Sequence, residues 1–245
     1  MDDLVLDEEP PPRPAADKRK GIRPQSCKAK GRKFQQEIER RLKEIFPLEG
    51  NDVRSTSMGC SGSDLVLSPR ALAYLPYDFE LKNQENVQLW ATLKQTRSRI
   101  DETVMPLVVI RKNRTKPVAV VPIVHFIHLC TGTFGQVVAD VTLECLGVEN
   151  GATRPAKEQA LQTAVNAAWS RWAPADHDRP SLPVCSRQSL SFWDTVNPNR
   201  DTGVVLNRGQ SDFPIVVALS WERFEALIAA QVAVDAPLPA QAAPP

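Results

Sequence analysis

Apolar residues recur along this chain with two different periods, and the switches between them mark its elements. Phe34, Ile38, Leu42 and Ile45 fall at spacings of four and three, one stripe of an amphipathic helix from about Gly31 to Phe46, with Pro47 behind it. "DVRSTSMG" (52–59) reads as a strand. After a Gly/Ser-rich loop, "DLVL" (64–67) reads as a short buried strand, turned away by Ser68-Pro69. "YDFELK" (77–82) is the next strand. Val87, Trp90, Ala91 and Leu93 restore the helical period up to about Arg99. "LVVIR" (107–111) and "PVAVVPIV" (117–124) flank a basic turn and predict a β-hairpin, closed by a short helix over 123–130.

The order α-β-β-β-α-β-β thus spans roughly 100 residues. Residues 131–150 fit strand or helix equally. Residues 155–172 form a helical pattern with Leu161, Val165, Ala168 and Trp169 on one face. A Pro-rich linker, strands at 203–207 and 214–220, and a helix over 221–234 follow. The expected fold class is α/β with a mixed sheet: a core over 31–132, an accessory α/β module over 154–234, a basic arm over 1–30 without regular structure, and a similar tail over 235–245.

The second module contains a partial echo of the first. "LVVIRKNRTKPVAVV" (107–121) lies without gaps on "VVLNRGQSDFPIVVA" (204–218), an offset of 97, and a Trp precedes each hairpin, Trp90 and Trp193. Anchoring on those tryptophans lays Glu80-Leu81-Lys82 on Pro183-Val184-Cys185. A degenerate repeat explains the match. So does the common look of two Val-rich hairpins.

Composition narrows the class. Of the residues, 42% are hydrophobic and 24% charged, the proportions of a globular protein. The net charge of +1 says nothing of partners, but its distribution does, because Lys18 to Lys33 is strongly basic after an acidic, Pro-rich start. Five widely spaced cysteines without a C-x-x-C argue against a disulfide framework and point to a reducing, cytoplasmic setting. No run of apolar residues reaches membrane-spanning length, and the first residues do not read as a secretory signal.

The chemistry lies between Asp64 and Lys82. Side chains alternate along a strand, so Glu80 and Lys82 share one side while Phe79 and Leu81 share the other. If the strand opened by Asp64 pairs with "YDFELK", the three charged groups converge at a sheet edge. Two carboxylates so close repel unless a hard divalent cation lies between them, and Mg²⁺ takes one or two carboxylates plus waters and substrate phosphate. The bland alternative is a surface strand with a Glu–Lys pair and a turn aspartate.

Asp64, its spacing to Glu80-Leu81-Lys82, and the element order together resemble the PD-(D/E)XK nuclease superfamily, and within it small phage-encoded endonucleases and resolvase-like proteins. The resemblance covers about residues 31–130. It implies a restriction-endonuclease-like core and DNA phosphodiester hydrolysis with Mg²⁺, or Mn²⁺ in its place. It implies Asp64, Glu80 and the Leu81 carbonyl as metal ligands and Lys82 as the catalytic lysine. Gln36 or Glu37 would supply a polar group from the first helix, and Gln95 a further one. Ser63 precedes Asp64 where the signature has proline. The implied partner is duplex or branched DNA. A homodimeric Holliday-junction resolvase and a non-catalytic DNA-binding protein with a relic site are the rival readings.

Other charged positions are less distinctive. Lys28, Lys30, Arg32 and Lys33 lead into the core, and Arg111, Lys112, Arg114 and Lys116 crowd the hairpin turn. All eight are candidate phosphate contacts, although a solvated turn explains the second set as well. His125, His128 and Cys130 lie in an apolar segment that favours a packing role over a metal site.

Overall fold

Helix α1 (Pro24–Ile45) opens the computed structural model, which describes residues 24–56, 62–100, 104–131, 153–172, 182–185, 192–199, 203–207 and 215–235. The helix starts earlier than the apolar stripe predicts. Lys28 and Lys30 therefore stand on the helix with Arg32 and Lys33, and not in an irregular arm. Pro24 suits a first turn, whose N–H groups lack helical partners anyway, and Gln25 to Lys30 is rich in helix formers. Gly31 costs about 1 kcal/mol inside a helix. Complete burial of Phe34, Ile38 and Leu42 offsets it, at about 1.5–3 kcal/mol each. Residues 1–23 and 236–245, and the ambiguous stretch 132–152, lie outside the described residues.

Strands β1 (Val53–Ser55) and β2 (Leu65–Leu67) pair antiparallel with each other, Ser55 opposite Leu65. Helix α2 (Pro69–Tyr74), absent from the sequence pattern, follows; Ser68 caps it by accepting a hydrogen bond from the Ala71 N–H. Strand β3 (Tyr77–Asn83), helix α3 (Leu89–Arg97), strands β4 (Met105–Arg111) and β5 (Val118–Pro122) and helix α4 (Ile123–Thr131) complete the first half. The second half runs α5 (Arg154–Trp172), β6 (Val184–Cys185), α6 (Phe192–Thr195), β7 (Val204–Leu206), β8 (Val216–Ser220) and α7 (Trp221–Asp235).

Two expectations change. β2 does not join the ladder of β3; it pairs with β1, and Asp64 at its mouth reaches β3 through single hydrogen bonds. The C-terminal half is also no separate module. One mixed six-stranded sheet, ordered β3-β4-β5-β8-β7-β6, crosses both halves, and β5 pairs with β8 along its whole length. Leu107, Val109, Ala119, Val205, Val217 and Leu219 share one apolar core with α1, α4, α5 and α7, while α3 and α6 cover the opposite face. No helix among the described residues is long and apolar enough to cross a membrane.

The sheet register replaces the ungapped repeat alignment. β5 and α4 correspond to β8 and α7 at an offset of 98, since Val118–Pro122 matches Val216–Ser220 and Ile123 matches Trp221 as the first helical residue. Ile123 N–H donates to the Ile215 carbonyl at 2.8 Å and Trp221 N–H donates to the Pro117 carbonyl at 3.0 Å. The same offset converts one bond into the other. Val108 pairs with Val120 as Val204 pairs with Ala218, which sets β4 against β7 at an offset of 96. The single value of 97 fails because an odd shift would exchange the two faces of the sheet. Counted between the matching pairs Ile110–Val118 and Leu206–Val216, the second connection is two residues longer. At β3 and β6 the tryptophan-anchored alignment holds: Leu81 faces Val109 as Val184 faces Val205, so Glu80 and Lys82 correspond to Pro183 and Cys185.

The halves also clasp each other. Arg41 on α1 donates to Glu225 on α7 at 2.6 Å, and the indole N–H of the buried Trp221 donates to the same carboxylate. Gly203 has no room for a side chain, because a Cβ there would lie 2.5 Å from Leu219 and 2.6 Å from Leu182.

Candidate active site

The pleat of β3 decides what faces the site. Glu80 and Lys82 project to one side of the strand, and their backbone groups bond to β4. The backbone groups of Phe79 and Leu81 point the other way, to the free edge of the sheet. There the Phe79 carbonyl accepts the Asp64 N–H at 2.9 Å, and the Ser63 hydroxyl both donates to that carbonyl and accepts the Phe79 N–H, each at 3.1 Å. Ser63 thus makes polar links to β3 that a proline could not make. They bring the Asp64 carboxylate over β3, where Oδ2 accepts the Leu81 N–H at 2.6 Å. The Leu81 carbonyl points to the same side as its N–H, toward Asp64.

Asp64, Glu80, Leu81 and Lys82 therefore come together, through single bonds to β3 and not through the strand pairing that the sequence suggests. Glu80 is only 4% exposed. Its Oε1 accepts from Lys82 Nζ, and its Oε2 lies 2.7 Å from Arg99 Nη2. That second contact is an ion pair. Arg99 also donates through Nε to Asp78 at 2.6 Å. Burial works against the Arg99 charge, but Asp78 and Glu80 outweigh it and hold the guanidinium pKa above its usual value. Arg99 follows directly on α3, and nothing in its sequence setting marks it.

The first helix contributes a residue next to the two that the resemblance implies. Gln35, 3% exposed, donates through Nε2 to Asp64 Oδ1 at 2.7 Å. One residue turns a helix by about 100°, which carries Gln36 out to solvent and points Glu37 to Arg111 at 2.5 Å. Gln95 is exposed on α3 and is not among the contacts of the cluster. The only sequence signal for Gln35 is its place beside Phe34 on the buried stripe.

Burial is the main reason that the Asp64 carboxyl is held above its ordinary value of 3.8; the Glu80 charge adds to it, while the Leu81 N–H, Lys82 and Gln35 oppose it. Burial thus outweighs the nearby Lys82 charge at Asp64. Two carboxylates and one carbonyl are hard oxygen donors, a set suited to Mg²⁺, which keeps waters and substrate oxygens in its remaining positions. Among the described residues no three or more of His, Cys, Asp and Glu gather into a metal-binding group.

This electrostatic picture has a direct test. A folded-state pKa raised above the unfolded one contributes stability below the ordinary value of 3.8, and that contribution is lost as pH rises through the elevated pKa. Asp64→Asn removes the loss. The asparagine Oδ1 keeps the Leu81 N–H, and its NH₂ meets Gln35, whose buried Oε1 has no partner among the described residues. Metal-free Asp64→Asn should melt above the wild type at neutral pH, with a gap that grows from pH 4 to 7. Calorimetry showing equal or lower melting temperatures throughout would refute the assignment.

The candidate phosphate contacts divide. Arg111 is committed to Glu37 and stacks on Phe34, 4.3 Å from the ring centroid. Lys112 lies 5.2 Å from the Trp193 ring, Lys116 pairs with Glu222 at 3.5 Å, and Lys30 donates to Asn113 in the hairpin turn. Arg114 stands exposed at the tip of that turn with φ of 60°, and Lys28, Arg32 and Lys33 are exposed on α1. The Lys30–Asn113 contact places the start of α1 and the turn side by side.

His125 and Cys130 belong to the packing. His125 is 6% exposed and bonds through Nε2 to the Tyr77 hydroxyl at 3.0 Å. Burial, with His128 adding, pushes its pKa down to about 3, and burial pushes the Cys130 thiol up to about 12. No protein-family model, no curated protein and no solved structure matches this chain.

Proposed function

We propose that the protein is a metal-dependent deoxyribonuclease of PD-(D/E)XK type, working in a cytoplasm on phage or similar DNA, and that Asp64, Glu80 and Lys82 are its catalytic residues. The observation that carries this reading is the convergence of Asp64 on the Leu81 N–H beside Glu80 and Lys82. Residues from two separate segments build one polar cluster at a sheet edge. A surface Glu–Lys pair with a turn aspartate would not need Gln35, Ser63 and Leu81 to hold that aspartate in place.

Asp64, Glu80 and the Leu81 carbonyl would hold Mg²⁺, which when bound acidifies a water and offsets charge on the scissile phosphate. Lys82 orients the attacking water and balances negative charge as it forms on the phosphate oxygens. The water oxygen forms a bond to phosphorus, the bond from phosphorus to the leaving sugar oxygen breaks, and a proton passes to that oxygen. Gln35 fixes the Asp64 carboxylate, and Arg99 fixes Glu80, as positioning residues. Linear, nicked and branched DNA incubated with Mg²⁺ should be cut, and a chelator should stop the cutting. DNA left intact on all three substrates with Mg²⁺ and with Mn²⁺ would end the nuclease reading.

The exposed cations on α1 offer a separate expected result. Replacing Lys28, Arg32 and Lys33 by glutamine preserves helix propensity and should leave the melting temperature unchanged. The log–log salt slope of DNA binding should fall by about 0.9 for each duplex phosphate that the variant no longer neutralises. An unchanged slope in salt titrations would remove α1 from the DNA interface.

A further inference from the structure

The relation between the halves is that of two subunits about a two-fold axis. β5 and β8 pair antiparallel with Val120 opposite Ala218, and the offset of 98 converts each of these residues into the other. The axis therefore passes through that rung, perpendicular to the sheet. The bonds from Ile123 and Trp221 are mates about it. Further out, Trp90 and Leu93 on α3 match Trp193 and Val196, all in the core on one face. The central edges that two separate subunits would join are here joined within one chain.

The symmetry stops at the chemistry. β3 carries Glu80 and Lys82 where β6 carries Pro183 and Cys185. Between α1 and β3 lie 31 residues, which include β1, β2, α2 and Asp64; between α5 and β6 lie 11. The second half thus lacks counterparts to Glu80 and Lys82, and it lacks the length of chain that delivers Asp64. The two edges are about 24 Å apart, five steps of about 4.8 Å.

We infer that the C-terminal half takes the place of a second subunit, so that the working unit is one chain with one active site, and that this unit nicks one strand of duplex DNA per encounter. The inference rests on the nuclease reading above. The strands of a duplex are themselves related by two-fold axes perpendicular to its length. A two-fold body set on such an axis presents one sheet edge to each strand. Among the described residues of the two edge strands only β3 carries carboxylates, so one strand is cut while the β6 half holds the complex in register.

The test uses the full chain. Sedimentation with and without a short duplex gives the mass of the working unit, and supercoiled plasmid with Mg²⁺ gives the product. The expected unit is a monomer of 27.1 kDa that binds one duplex. The expected product is open circle, which accumulates to near completion before linear DNA appears. Linear DNA formed from the first moments at limiting protein, or a two-chain complex as the cutting species, overturns the inference and leaves the nuclease reading standing. A monomer on one duplex that cuts nothing supports the pairing of the halves, overturns the nicking step, and removes the nuclease reading with it.

Discussion

Asp64→Asn and Glu80→Gln are each expected to lower metal-dependent cleavage by about a thousandfold or more while DNA binding persists. Both replacements keep shape and remove charge. A metal's stabilisation of the transition state amounts to several kcal/mol, and each 1.4 kcal/mol is about a factor of ten in rate. Asp64 is held by Leu81, Gln35 and the Ser63 and Asp64 links to Phe79. The asparagine therefore stays in place, and reduced activity reports reduced metal affinity. In Glu80→Gln the amide oxygen still meets Lys82 or Arg99, and Asp78 still holds Arg99. Mn²⁺ titration calorimetry should show weaker binding in both variants. Cleavage within tenfold of the wild type by either would sink the metal assignment.

Lys82→Ala is expected to reduce cleavage by roughly a hundredfold to ten-thousandfold, the range for a positioned proton-transfer or charge-stabilising group, and to leave no second activity behind. Lys82 is part-exposed beside Glu80, so its loss disturbs the fold little. At the matching positions the C-terminal half supplies no replacement: Pro183 has no side-chain ligand atom, and Cys185 is a part-buried free thiol. Asp176 and Asp178 lie outside the described residues, and Asp194 stands in the short helix α6. Metal-dependent cutting that survives in Lys82→Ala and disappears on changing Asp194 would place a second site in that half and defeat the single-site inference.

Much of this molecule is legible in local pattern. The hairpin of β4 and β5 and helices α3, α4, α5 and α7 follow from side-chain alternation and helical spacing, whereas Asp64 reaches Glu80, Leu81 and Lys82 through single bonds to β3 and not through the strand pairing that the pattern suggests. Short elements do not announce themselves in this way. Helix α2, with six residues, and strand β6, with two, have too little sequence for a period.

What the sequence by itself determined is the inventory: the apolar faces, the α/β class, and the charged residues of the candidate site. Tertiary structure decided which groups meet. It put Gln35 on Asp64, because α1 buries one stripe against β3 and a single helical step moves its neighbours away. It put Arg99 between Asp78 and Glu80, since buried carboxylates require a cation and the end of α3 lies within reach. It joined β5 to β8, a choice made by strand edges that carry no sequence signature of their partner. The backbone groups that pair there are the same in every residue, and only the packing on both faces of the sheet selects the register.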